Sequence, residues 1–159
     1  MESTRMLVAR DVMSPKVLRV RDDMSVAQLA TFLTDHEISG APVDDAGGKL
    51  VGVVSVADVA SAASELAGTH SPRPGGFFSH DWEAHPAVED LRRMAAGSKD
   101  LLVRDIMTRG VYSVPDDTPV ADVAEIMLDS HIHRLLVTQG ARTVGIISSS
   151  DLLGLLVGR

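Results

Sequence analysis

Two short segments carry one arrangement of side chains suited to holding a small polar molecule: Gly52-Val53-Val54-Ser55-Val56-Ala57-Asp58 and Gly145-Ile146-Ile147-Ser148-Ser149-Ser150-Asp151. A glycine and two apolar residues read as the end of a strand, and Ser-x-x-Asp as the start of a helix. Two readings fit. In a capping box, the serine hydroxyl accepts from the third helical amide and the aspartate reaches back to the serine amide. In the other reading, the helix start presents free N–H groups and a positive dipole end. An aspartate there can accept two hydrogen bonds from a vicinal diol, which makes it a ribose reader. Aspartate repels phosphate, so phosphate charge must be met elsewhere. His131-Ile132-His133-Arg134 holds the candidates: Arg134 can fork onto phosphate oxygens and His133 can donate to them. His131 and His133 could instead be a metal pair, but no further ligand pattern stands beside them, and no metal site is predicted. His36, His70, His80 and His85 read as exposed or structural. Asp22-Asp23 and Asp116-Asp117 fit negative charge ahead of helices. There is no nucleophile motif, phosphate-binding glycine loop, dinucleotide fingerprint or acid/base pair, so no catalytic residue is predicted.

The elements that must position these residues come in two copies. Arg10-Asp11-Val12-Met13-Ser14 returns as Arg104-Asp105-Ile106-Met107-Thr108. The same register pairs Val17 with Val111, Val20 with Val114, Ala30 with Ala124 and Val43 with Val137. A single one-residue deletion then aligns the two Gly…Asp segments. The predicted division is a first repeat over 8–66, a connector over 67–100 and a second repeat over 101–158. Each repeat reads strand, helix, strand, strand, helix. Lys16 to Val20 alternates as a half-buried strand. Val26, Leu29, Ala30 and Leu33 recur at helical spacing, as do Val120, Val123, Ala124 and Met127. Thr118 is the expected N-cap of that second helix, with Pro119 at its first position. Ala41-Pro42-Val43 begins the next strand, Asp45 to Gly48 turns, and Leu50 to Val54 returns. Ser55 then starts a helix over Val56 to about Leu66. The fold class is α+β (α/β). Three strands and two helices leave one apolar face open, so two β-α-β-β-α repeats are expected to pack about a pseudo-two-fold axis through their small sheets. In the connector, Pro86 to Met94 reads as a short helix, and Phe77, Phe78 and Trp82 suggest packing on the module or on a second protomer, with a partner site or a ligand lid as the other reading.

Composition narrows the function. The chain has 159 residues, a net charge of −7 and no cysteine. The acidic balance argues against bulk nucleic acid as a partner. The absence of cysteine removes disulfides and thiol chemistry. Met1 to Arg10 lacks a signal-peptide stretch, and apolar runs such as Leu50 to Val54 are too short to span a bilayer. The expected setting is the cytoplasm, with no membrane.

Taken together and in order, the paired Asp-(Val/Ile)-Met-(Ser/Thr) openings, Ile38-Ser39-Gly40-Ala41-Pro42-Val43, Ile132-His133-Arg134-Leu135-Leu136-Val137 and the two Gly…Ser-x-x-Asp endings resemble a tandem pair of CBS (cystathionine beta-synthase) domains, a Bateman module. The resemblance covers about two-thirds of the chain. It departs at Leu136, where the family often has Pro. It implies adenosyl ligands (AMP, ADP, ATP or S-adenosylmethionine) bound in two clefts, with no obligatory cofactor. One site would combine Ser55 and Asp58 with Val111, Tyr112, Ile132, His133 and Arg134. There Asp58 would hold the ribose, Val111 and Tyr112 would flank adenine, and Arg134 with His133 would meet phosphate. The other would combine Ser148 and Asp151 with Leu18, Ile38, Ser39 and Gly40, which supply no cation. The first site is expected to favour phosphorylated nucleotides, and the second a nucleoside-like or sulfonium ligand, or none. The resemblance implies a regulatory module rather than an enzyme. It would form a homodimer and transmit its ligand state to a regulated protein. The rival reading is a ligand-free structural module that uses the same fold for dimerisation.

Overall fold

The computed structural model describes residues 6–66, 93 and 101–158. In chain order its elements are α1 (Ala9–Val12), β1 (Val20–Arg21), α2 (Val26–Asp35), β2 (Gly40–Asp44), β3 (Leu50–Ser55), α3 (Val56–Leu66), α4 (Val103–Ile106), β4 (Ser113–Pro115), α5 (Val120–Ser130), β5 (Arg134–Gln139), β6 (Arg142–Ser148) and α6 (Ser149–Leu156). They fall into two compact units. One is Leu18–Val111; the other joins Met1–Val17 to Tyr112–Arg159. The predicted helix at Pro86 to Met94 and the connector aromatics lie outside the described residues, apart from helical Arg93.

In the unit Leu18–Val111, β1 runs parallel to β2, pairing Val20 with Val43, and β3 returns antiparallel to β2. The return is made by Asp45. Its Oδ1 accepts from the amides of Gly47 (2.9 Å) and Lys49 (3.0 Å), and Gly48 takes φ 83°, which glycine adopts without strain. The spacing of Val26, Leu29, Ala30 and Leu33 puts them on the buried face of α2. They form one core with Val20, Val43, Val54, Val59 and Val103. Burying each larger aliphatic side chain is worth about 1.5–3 kcal/mol. Ser25 caps α2: its hydroxyl accepts from the Gln28 amide (3.1 Å), and Gln28 Oε1 accepts from the Ser25 amide (3.0 Å). Replacing Ser25 with Ala is expected to destabilise the chain by about 1 kcal/mol in a denaturant titration.

The other unit repeats this plan. β4 runs parallel to β5, pairing Val114 with Val137, and β6 returns antiparallel through Gly140 at φ 62°. Val123 and Met127 form the buried face of α5.

Each unit is completed by the opening motif of the other sequence repeat. α1, from the first repeat's opening, docks on the second repeat's elements. Ala9 is fully buried, its amide donates to the Thr118 carbonyl (2.8 Å), and Ser14 exchanges two backbone bonds with Ile146 (2.8 and 3.0 Å). In the same way α4 completes the first repeat's sheet: Val103 is fully buried, and Thr108 exchanges two bonds with Val53 (2.8 and 2.9 Å). Both crossings press a methionine on a glycine. A Cβ built on Gly145 would fall on Met13 Sδ, and one on Gly52 would lie 2.7 Å from the Thr108 carbonyl oxygen and 2.9 Å from Met107 Sδ.

Two local expectations are corrected. The alternation at Lys16 to Val20 does not form a strand over that span, because only Val20 and Arg21 meet β2; Lys16, Leu18 and Arg19 are exposed. At α5 the N-cap is Pro119, not Thr118. Pro119 is extended (φ −57°, ψ 139°), and no side chain caps the helix. The Val120 amide donates instead to the Leu7 carbonyl (3.0 Å), so the crossing N-terminal segment does the work of a cap.

Candidate functional site

The hairpin of each unit delivers its Ser-x-x-Asp to the mouth of a helix. At the start of α6 the capping box is complete: the Ser148 amide donates to Asp151 Oδ2 (2.8 Å), and the Asp151 amide donates to the Ser148 hydroxyl (3.2 Å). At the start of α3 the hydroxyl is turned round. Asp58 Oδ2 accepts from the Ser55 amide (2.8 Å) and also from the Ser55 hydroxyl (3.3 Å). In both copies the cap uses one carboxylate oxygen. No residue among those described donates to Oδ1 of Asp58 or Asp151. Capping and diol recognition are therefore compatible, since a free oxygen remains in each case.

Burial pushes the Asp58 carboxyl from the ordinary 3.8 up to about 6, although hydrogen bonds from the Ser55 amide and hydroxyl pull the other way. A desolvated carboxylate at a helix mouth makes Asp58 a candidate functional position.

The second hairpin strand sets the neighbours. Gly40 pairs with Ser55, and the Val56 amide donates to the Ser39 carbonyl (2.9 Å). In the other unit Arg134 pairs with Ser148, and the Ser149 amide donates to the His133 carbonyl (2.8 Å). The structure thus brings Ser39 and Gly40 beside Ser55, and His133 and Arg134 beside Ser148. Ser55, Asp58, Ile38, Ser39, Gly40, Leu18 and Val111 belong to one unit. Tyr112, Ile132, His133, Arg134, Ser148 and Asp151 belong to the other. Ile132 is buried and Ile38 half-buried, both anchoring their strands from the core side. Arg134 is 9% exposed, and burial lowers its guanidinium to about 10. His133 is exposed. Leu18 and Tyr112 occupy matching repeat positions, and they are 40% and 42% exposed.

His131 has a structural duty. It ends α5 in the left-handed conformation (φ 54°), and its amide donates to the Leu128 carbonyl (3.4 Å). Among the described residues no group of three or more His, Asp or Glu is placed to hold a metal. No described helix is long and apolar enough to cross a membrane. Sequence reasoning missed the reversed Ser55 hydroxyl and the seating of Met13 and Met107 on the motif glycines. The recurrence of Gly52 and Gly145 was the available signal for the second.

A repeated strand–Ser-x-x-Asp–helix unit with a three-stranded sheet defines a class of paired binding folds. The CBS domain family model matches residues 9–65 and 103–158, and the chain belongs to that family. The CBS domain-containing protein CBSX1, chloroplastic, of Arabidopsis thaliana is 31% identical over 137 residues; the match covers 84% of this chain and 56% of CBSX1, so the chain spans little over half of that relative. The CBS domain of a CBS domain containing membrane protein from Sphaerobacter thermophilus superposes with a TM-score of 0.67 at 28% identity, over 95% of this chain and 88% of that one. CBSX2 in complex with AMP gives 0.65 at 24% identity, over 96% and 98%. The CBS domain pair of protein MJ0100, in complex with 5′-methylthioadenosine and S-adenosyl-L-methionine, gives 0.62 at 24%, over 97% and 98%. The last two show the shared fold.

Proposed function

We propose that the chain is a regulatory module that binds adenosyl ligands and passes its ligand state to a partner protein, acting as a homodimer and without catalysis of its own. The observation that carries this reading is the Asp58 carboxyl. It is held in a desolvated position by Ser55, with one oxygen uncommitted. The ligands carried by CBSX2 and MJ0100 support the adenosyl class. In this reading Asp58 accepts from the ribose hydroxyls, Val111 and Tyr112 flank adenine, and Arg134 with His133 meets phosphate, with Ile132 part of the same site. Ser148 and Asp151, with Leu18, Ile38, Ser39 and Gly40, take a second ligand that carries less negative charge. Differential affinity for two states of the module is what couples ligand to partner.

A thermal-shift panel of AMP, ADP, ATP, S-adenosylmethionine and NAD tests the class. A ligand at a hundred times its dissociation constant adds about 2.7 kcal/mol of stability. No shift with any adenosyl compound, confirmed by calorimetry, would leave the ligand-free structural module as the better account. The residue assignment is tested separately. Arg134→Ala should weaken AMP by about 10- to 100-fold, the worth of hydrogen bonds to a charged group, and adenosine far less. Asp58→Ala should weaken both. Equal losses for AMP and adenosine on Arg134→Ala would remove Arg134 from the phosphate.

A further inference from the structure

The two oxygens of the Asp58 carboxyl are unequally committed. Oδ2 accepts from the Ser55 amide (2.8 Å) and the Ser55 hydroxyl (3.3 Å), whereas Oδ1 has no donor among the described residues. No cation neutralises the group either: among the described residues, no Lys, Arg or His forms an ion pair with Asp58. α3 packs on α2, β3 and α4. The charged side chains of those three elements are Asp35, Arg104 and Asp105, and all are exposed. On β2, beside β3, Asp44 is paired with Arg19 (3.4 Å). The negative charge of Asp58 therefore rests on the Ser55 donors and the start of α3. A half-buried carboxylate without a counter-ion holds a proton well, and burial raises this one to about 6.

Protonation and diol binding make opposite demands on the same atom. An ionised carboxyl only accepts hydrogen bonds; a protonated one carries an O–H donor and accepts less. The proton's seat is Oδ1, because Oδ2 already takes two donors. Oδ1 is also the oxygen that the ribose hydroxyls need. We propose that a proton and the ligand's diol compete for Oδ1 of Asp58, so that acidification releases an adenosyl ligand from this position. The proposal rests on the ligand reading above and adds its regulation: the module reports pH together with ligand. Linkage fixes the sign. A ligand that needs the carboxylate binds fully above about pH 7 and loses affinity as pH falls through 6; at pH 5 it binds roughly tenfold more weakly.

The test uses the full chain and adenosine. AMP is avoided because a phosphate ester itself titrates at about 6, whereas adenosine has no group that titrates between pH 5 and 8. Calorimetry identifies the binding step that Asp58→Asn weakens at pH 8. In the parent chain that step should be about tenfold weaker at pH 5 than at pH 8. Repeated at pH 6 in buffers of different ionisation enthalpy, it should release about half a proton per adenosine bound. Ser55→Ala removes the hydroxyl that favours the carboxylate and keeps the amide donor, so the midpoint should move to higher pH. Asp35→Asn, at the exposed end of α2, should leave the midpoint in place. Thermal melts at each pH check that the fold is kept. Equal affinity at pH 5 and 8 with no proton released overturns the proposal and leaves the ligand reading standing. A midpoint that Asp35→Asn moves and Ser55→Ala does not move overturns it as well. Absence of adenosine binding even at pH 8 removes the ligand reading, and the proton competition with it.

Discussion

Asp58→Asn is expected to stabilise the unliganded chain at pH 8 by up to about 3 kcal/mol and to leave it nearly unchanged at pH 4. The sign follows from the direction of the shift. The folded carboxyl titrates near 6 and the unfolded one near 3.8, so the fold binds the proton more tightly. Its contribution is fully present below about pH 4, falls as pH rises from 4 to 6, and is lost above 6. At about 1.4 kcal/mol per pH unit the difference approaches 3 kcal/mol. Asparagine does not titrate, and its carbonyl can still accept from the Ser55 amide. Melting both proteins from pH 4 to 8 gives the difference curve. A flat curve would mean that the carboxyl is not desolvated. The same substitution should weaken adenosine, because asparagine supplies one acceptor where the carboxylate supplies several. Stability gained with binding lost is the expected mark of a group kept for function.

The second large effect concerns the two glycines. Gly52→Ala and Gly145→Ala should each destabilise by about 1–3 kcal/mol, the range for forcing extra volume into a packed site. The obstacles differ, and so should the rescue. At Gly145 all three nearest atoms belong to the Met13 side chain. Met13→Ala should therefore relieve part of the Gly145→Ala loss, with a coupling of about 1 kcal/mol in a double-mutant cycle. At Gly52 the nearest atom is the Thr108 carbonyl oxygen, fixed by the hydrogen bond it accepts from the Val53 amide. Met107→Ala leaves that oxygen in place, so its coupling to Gly52→Ala should be much smaller. Equal couplings in the two cycles would contradict this account.

Much of the fold was legible because short-range chemistry decides it. The Val26, Leu29, Ala30, Leu33 stripe, the Asp45 turn and the Ser55 start of α3 all sit where local pattern puts them. Lys16 to Val20 failed because alternation reports a half-buried strand only when a neighbour strand is present to pair with it. Thr118 failed because Leu7, far away in sequence, supplies the acceptor at that helix start. The site was legible as a motif, since Ser-x-x-Asp is itself local. What the motif could not disclose was the difference between its copies. Which way the Ser55 hydroxyl points, and how far Asp58 is desolvated, depend on packing around the helix mouth.

The exchange of opening motifs sets an order of assembly during synthesis. The unit Leu18–Val111 is continuous, so every piece of it has left the ribosome once Val111 is clear. The other unit is split. α1 is made first, yet its partners Thr118 and Ile146 are made near the end. The segment bearing α1 must stay unpaired while an entire unit is translated and closes, and the loop it finally shuts spans that whole unit. Vectorial synthesis therefore makes the contiguous unit the early folder, while the unit bearing Arg134 is completed last, when α1 and β6 can meet.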